Sequence, residues 1–337
     1  MNLLLNHTRY ILVFLFISWS VNAQVALPTF QGVQSASESP LYSFSSHTFT
    51  NCGATGRNGP TLSNCTGTYS PSWTDNTNYF NVPSDAGIQY WTVPEDGTYT
   101  IEAWGARGGK GTTNGSVYGG LGARMRGDFD LSQGDVIRII VGQQADGISR
   151  GSSNAGGGGG GGSFVIKSPY NSDGSILVIA GGGGGTGANR GVVNGNTHGQ
   201  TGENGGISSQ NSNISENGEG GYSGYDGAGG GGFFENGTNS ETVGLGGVSF
   251  VNGGAGGVYA EGCSYPCGSH MGYGGFGGGG GVGHAGGGGG GYSGGNGTGR
   301  WGNGSWSGGG GSYNSGSNTS NSAGVWESNG KVVITKN

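Results

Sequence analysis

Cysteine and histidine are the residue types here best suited to covalent or metal chemistry, and their spacing limits what they could do. Cys52 and Cys65 flank 12 residues, and Cys263 and Cys267 flank three. Four cysteines permit three pairings, of which the local ones, Cys52–Cys65 and Cys263–Cys267, are the simplest. A bridge across the Cys52–Cys65 loop would contribute roughly 2–3 kcal/mol by restricting the unfolded chain. The alternative is a metal site from Cys263, Cys267, His270 and His284, whose C-x3-C spacing is loosely zinc-like. An oxidising compartment favours disulfides instead, so two disulfides and no metal or cofactor are expected.

Nucleophilic and acid–base chemistry find less support. His47, His198, His270 and His284 sit in no nucleophile, zincin or deaminase motif. Glu95, Asp96, Asp128, Asp130 and Asp135 are expected mostly at turns beside strands, where solvation explains them. Gly105 to Thr112 reads G-A-R-G-G-K-G-T. Its Lys110 is followed by Gly111 rather than Ser or Thr, and the leading glycine is out of register for a phosphate loop. The expectation is a protein that is not an enzyme.

The first residues indicate export. Arg9 precedes the apolar run Ile11–Ile17, and Val21-Asn22-Ala23 suits signal peptidase, so residues 1–23 read as a signal peptide cleaved before Gln24. The run falls short of the ~20 apolar residues that span a bilayer. Residues 24–43 lack periodicity and read as a flexible leader. The mature protein is expected to be secreted, or loosely held at a surface, without a membrane span. Sequons at Asn64, Asn114, Asn213, Asn236, Asn296, Asn303 and Asn318 matter only in a eukaryotic secretory pathway.

Composition sets further bounds. Gly contributes 87 and Pro 8 of 337 residues, a share at which low complexity is a serious alternative. The net charge of −6 becomes −7 once Arg9 is removed. That balance argues against nucleic acid, which needs clustered cations, and against anionic lipid.

The elements that must position any site read as strands. Thr98–Trp104 alternates, with Tyr99, Ile101 and Ala103 on one face. Val136–Val141 puts Ile137, Ile139 and Val141 on one face and Arg138 on the other. Phe164–Ile166 and Ile176–Ile179 are apolar runs typical of buried strands. Lys331–Thr335 follows the Asn329-Gly330 turn. No window has a helical period, so the fold class is all-β. A strand that late implies that the glycine-rich section is an insertion anchored at both ends if it pairs with earlier strands.

The glycine runs are Gly156–Gly162, Gly181–Gly185, Gly229–Gly232, Gly277–Gly281, Gly286–Gly291 and Gly308–Gly311. Interspersed aromatics argue against a flexible linker, and the absence of a Gly-X-Y period excludes collagen. Left-handed polyglycine II packing is the physical alternative. Its three residues per turn leave N–H and C=O pointing outward, and only glycine permits backbone contact between neighbouring helices. Composition alone leaves order and disorder equally open.

A resemblance favours order. His47–Thr61 leading to Cys65, the segment Gly87–Pro94 with Gly97-Thr98-Tyr99, and Ala103–Gly111 resemble the glycine-rich extracellular region of the anaplastic lymphoma kinase and leukocyte tyrosine kinase receptors. Ile140–Gln144, the run Gly156–Gly162 with Ser163-Phe164-Val165, and the closing Gly330–Ile334 continue it over about residues 45–337. The resemblance implies a tumour-necrosis-factor-like (jelly-roll) β-sandwich carrying an inserted polyglycine II bundle, with protein-ligand binding and no catalysis. Its implied domain spans 44–337, with strands mainly at 44–180 and 325–337 and the insertion at about 181–324. The membrane span, kinase domain and EGF-like module of those receptors are not expected here, so signalling does not transfer.

The leading functional expectation is a secreted recognition or adhesion module. It would bind an extracellular protein, glycan or cell-surface ligand through loops at the ends of the glycine bundle. Tyr265, Tyr292, Trp301, Trp306 and Tyr313 are the candidate contacts, because Tyr and Trp dominate binding hot spots. Packing against the glycine bundle is the competing reading for each. A self-assembling matrix or coat component is the alternative function, and ice binding a remoter one.

Overall fold

The computed structural model describes residues 39–83, 87–111, 117–145, 155–188, 193–242, 244–258, 272–299 and 305–337. The expected signal peptide and most of the leader lie outside them. The described chain is nearly all β, with one short α-helix, α1 (Leu62–Thr66), and a few single 3-10 turns. Thr61 caps it, its hydroxyl accepting from the Asn64 N–H.

One sheet has five strands in the order β1 (Ser46–Phe49), β11 (Lys331–Lys336), β4 (Gly97–Trp104), β5 (Gly122–Leu131) and β10 (Ser322–Trp326). The other has six: β2 (Phe80–Asn81), β3 (Gln89–Thr92), β6 (Val136–Ile140), β7 (Ser163–Ile166), β8 (Ile176–Ala180) and β9 (Tyr313–Asn314). Every pairing is antiparallel. β11 lies between β1 and β4, so the late strand closes the five-stranded sheet.

Between the sheets lies a core of Phe49, Trp91, Tyr99, Ile101, Met125, Ile137, Ile139, Leu177 and Ile334, among others. Alternation on β4 and β6 sends Tyr99, Ile101, Ile137 and Ile139 inward, as their period of two requires. β7 and β8 instead bury every residue. Their outward side chains Phe164, Ile166, Ile176 and Ile179 meet Phe233, Phe250, Phe276 and Tyr292 from the glycine-rich segments in a second core. The six-stranded sheet is thus covered on both faces, which accounts for the unbroken apolar runs of β7 and β8. The outer face of the five-stranded sheet is polar. There Arg124 pairs with Glu102 at 2.6 Å, and Thr98 and Thr100 donate to Asp130 and Asp128. Asp128 and Asp130, expected at turns, belong to β5.

The glycine runs are neither helix nor strand, yet their backbone groups are bonded with a repeat of three. N–H groups of Gly156, Gly159 and Gly162 donate to the carbonyls of Gly283, Gly280 and Gly277. Those of Gly157 and Gly160 donate to Thr186 and Gly183, and the carbonyls of Gly158 and Gly161 accept from Gly109 and Ala106. Successive residues therefore address different neighbouring runs, and every third returns to the same one. Contact is close enough that a Cβ on Gly159 would stand 1.8 Å from the Gly288 carbonyl oxygen. This packing also recruits residues 105–109, 120 and 156–162, N-terminal to the expected insertion, while β9 and β10 begin within its expected bounds. Chain order does not separate the two layers cleanly because β4 and β8 run directly into glycine-rich segments and β7 follows directly from one.

Candidate functional site

Cys52 and Cys65 form a disulfide with a Cα–Cα distance of 4.9 Å. It ties the end of β1 to α1, where Tyr69 donates to the Gln89 side chain at 2.7 Å and Gln89 donates to the Thr50 carbonyl at 2.8 Å. Cys263, Tyr265, Cys267, His270 and Trp301 lie outside the described residues. Tyr292 is only 3% exposed, packs on Tyr313 at 4.9 Å between ring centroids, and donates to Asp173 at 2.9 Å. As a surface contact Tyr292 is therefore corrected to a core residue, its large ring covering β8 and β9. Tyr313 is half-buried in β9 and faces the same cluster. Burial and the neighbouring Asp173 raise both phenolic pKa values. Trp306 is half-buried at the rim of the glycine layer, bridged through its backbone to Thr186, and its indole N–H has no acceptor among the described residues.

His47 and His198 are structural in their surroundings. His47 is 9% exposed and edge-on to Phe49, Tyr69 and Trp73. Burial pulls its pKa down to about 4, so the ring is neutral. The His198 Nδ1 accepts from the Leu121 N–H at 2.9 Å, and burial, then Arg107, lowers its pKa. The sequon at Asn296 is closed to glycosylation. Its side chain is fully buried, accepting from the Tyr222 N–H and donating to the carbonyls of Asn211 and Asn213.

A cleft of about 480 Å³ opens at the margin of the second core, between the six-stranded sheet, the loop after β7 and the turn at Phe250–Asn252. Arg138 projects into it from β6. Its guanidinium carbon lies 3.9 Å from the Tyr170 ring centroid and 4.9 Å from that of Tyr90, its cross-strand neighbour. Such stacking suits the flat, weakly hydrated guanidinium. Tyr170 is held there at φ +71°, a conformation rare for a bulky residue, and donates to the Val136 carbonyl at 3.0 Å. Burial raises its pKa while Arg138 opposes the rise. Ile88, Phe250 and Val251, the last 40% exposed, supply an apolar wall. Gly253, at φ +108°, turns the chain behind it. Sequence reasoning placed Arg138 on the outer face of β6 but not in a site. The signal was a lone cation on an otherwise apolar strand, but its partners Tyr90 and Tyr170 are brought in by pairing and by a loop.

A second aromatic–cation group lies on the polar sheet. Lys331 sits 4.3 Å from the Trp104 centroid and 4.2 Å from that of Trp326. Arg124, also over Trp104, is already engaged by Glu102.

The chain is 37% identical over 131 residues to the leukocyte tyrosine kinase receptor of Mus musculus. The two are related over that stretch. It covers 39% of this chain and 14% of the mouse protein, so the chain corresponds to a small fraction of that receptor's length. No protein-family model matches the chain. Among the described residues, no helix is long and apolar enough to cross a membrane.

Proposed function

We propose that this chain is an extracellular, non-catalytic recognition module of the glycine-rich type found in the anaplastic lymphoma kinase and leukocyte tyrosine kinase receptors. The similarity to the mouse receptor carries this reading, and the Cys52–Cys65 disulfide agrees with an oxidising compartment. We further assign the two-sheet body to a tumour-necrosis-factor-like sandwich and the glycine layer to polyglycine II packing. The three-residue hydrogen-bond repeat between runs supports the second assignment. A layer bonded in several directions is stiff, and stiffness lowers the entropic cost of presenting a binding surface. Loops at the ends of the glycine layer are the proposed contact region for a protein or glycan ligand, with Trp306 as an aromatic anchor and, from the sequence alone, Trp301 and Tyr265 as further candidates.

The test uses the full chain, purified from a secreting host and fused to a proximity-labelling enzyme, on intact cells of the same source. A restricted set of surface proteins should be labelled, and labelling should fall at least tenfold for the Trp301→Ala/Trp306→Ala variant with its melting temperature retained. Labelling that is uniform, or unchanged in the variant, overturns the reading.

A further inference from the structure

We propose that the cleft beside Arg138 binds a carboxylate of an acidic peptide segment, with an apolar residue next to that carboxylate packed on the Ile88–Phe250–Val251 wall. This site goes beyond the recognition reading above and stands or falls independently of it.

Arg138 carries an unsatisfied donor. Among the described residues the buried Arg138 Nε–H has no hydrogen-bond acceptor. The ion pairs of the described residues lie elsewhere, joining Glu102, Arg124, Arg126 and Asp128 on the opposite sheet and Glu95 with Lys336. A buried donor left without an acceptor is costly, more so on a charged group. Among the described residues no carboxylate lines the cleft, although the chain as a whole is acidic, at −6. The two tyrosine rings lie against the guanidinium, whose terminal amino groups form a planar fork that matches a carboxylate.

The lining selects among anions. Among the described residues that line the cleft, Arg138 is the one cation and none is acidic. A singly charged carboxylate balances that cation, whereas a phosphate monoester, close to doubly charged at neutral pH, calls for more positive charge. The wall of Ile88, Phe250 and Val251 favours an aliphatic neighbour, which a sugar acid does not offer. The volume, about 480 Å³, falls in the range of about 300–1,000 Å³ typical of small-ligand sites. Tyr170, held in an uncommon backbone conformation, packs on the guanidinium. Strained residues of this kind cluster at ligand clamps.

The experiment titrates the full, isotope-labelled chain with acetyl-Leu-Glu-amide while following arginine Nε–Hε resonances by NMR. The Arg138 signal is identified by its loss in Arg138→Gln. The acidic dipeptide should shift that signal saturably, and acetyl-Leu-Gln-amide should bind at least tenfold more weakly. Val251→Asp places a competing carboxylate at the exposed rim without disturbing the core. It should weaken the acidic dipeptide at least tenfold, and it keeps the test decisive even if Arg138→Gln fails to fold. Equal binding of the two dipeptides, no response at tens of millimolar, or full binding by Val251→Asp overturns the proposal. Saturation by methyl glucuronide or inorganic phosphate in preference to the dipeptide also overturns it, identifying a sugar acid or a phosphate as the occupant.

Discussion

The sandwich core and the glycine layer bury comparable stretches of chain by opposite means. In the core, Trp91, Tyr99, Ile101 and Ile139 are fully buried and exclude water from apolar surface. That force is proportional to area and indifferent to direction. In the glycine layer there is almost no side chain to bury, and order rests on N–H and C=O groups of adjacent runs satisfying one another. Glycine surrenders more conformational freedom on folding than any other residue, so the layer depends on the sheets that feed and hold it. The core should degrade gradually as its side chains shrink. The layer should fail abruptly when anything is added.

The sharpest way to break this comparison is to add a single carbon. A Cβ on Gly161 would stand 1.7 Å from the Phe276 carbonyl oxygen, whereas one on Gly174 meets nothing within 4 Å. Gly161→Ala should lose cooperative melting or more than about 3 kcal/mol in denaturant titration, since backbone cannot step aside as a side chain can. Gly174→Ala should be neutral or gain up to about 1 kcal/mol. Similar tolerance at both positions would mean that the layer is not close-packed in solution.

Removing carbon from the core is the complementary change. Ile139→Ala should cost about 2–5 kcal/mol and Ile139→Val about 1 kcal/mol, a graded response visible in the same titrations. Replacing both Cys52 and Cys65 by serine should cost about 2–3 kcal/mol. Hydrogen exchange should then accelerate around β1 and α1 first and leave Gly157–Gly162 protected. Faster exchange across the glycine runs instead would show that the two regions are one cooperative unit.

The smallest effect is a pH dependence confined to the core. The folded-state pKa of His47, about 4, lies below its ordinary 6.5, so between these values the unfolded chain binds a proton that the fold excludes. Stability should be complete above about pH 6.5 and decline on acidification towards pH 4, by on the order of 2 kcal/mol. His47→Phe should flatten that slope when melting is followed across this range. An unchanged slope would place the titrating group elsewhere.

The strands with strong local signals were legible in the sequence: β4, β6, β7, β8 and β11 were expected within a residue or so of where they lie. β5 was missed although Ala123, Met125, Phe129 and Leu131 alternate with Arg124, Arg126, Asp128 and Asp130. Its charged face reads as solvent-bound polar chain until the threonines of β4 are seen to pair with it. β1, β2 and β9 are too short to carry a period. For the glycine runs, composition cannot distinguish a mobile chain from a packed one, because the deciding contacts join runs far apart in sequence, such as Gly157 with Thr186 and Gly156 with Gly283. Of the anticipated aromatics, Tyr292 is buried because its ring is needed where glycine supplies no side chain. The Arg138 cleft was out of reach for a related reason: its stacking partners come from β3 and from the loop after β7.

One pairing has a mechanical consequence. β1 lies at the edge of its sheet and runs antiparallel to β11, so Ser46 adjoins Thr335 at one end of the ladder and Phe49 adjoins Val332 at the other. Tension drawn through residues 39 and 337 therefore loads these bonds one after another, as in a zipper, instead of all at once. Peeling would begin at Ser46 and bare the ring stack of His47 and Phe49 before it reached β4. The glycine layer, cross-tied in several directions, has no such seam. Under load the described residues would yield first at the edge strand β1 and last where side chains are fewest.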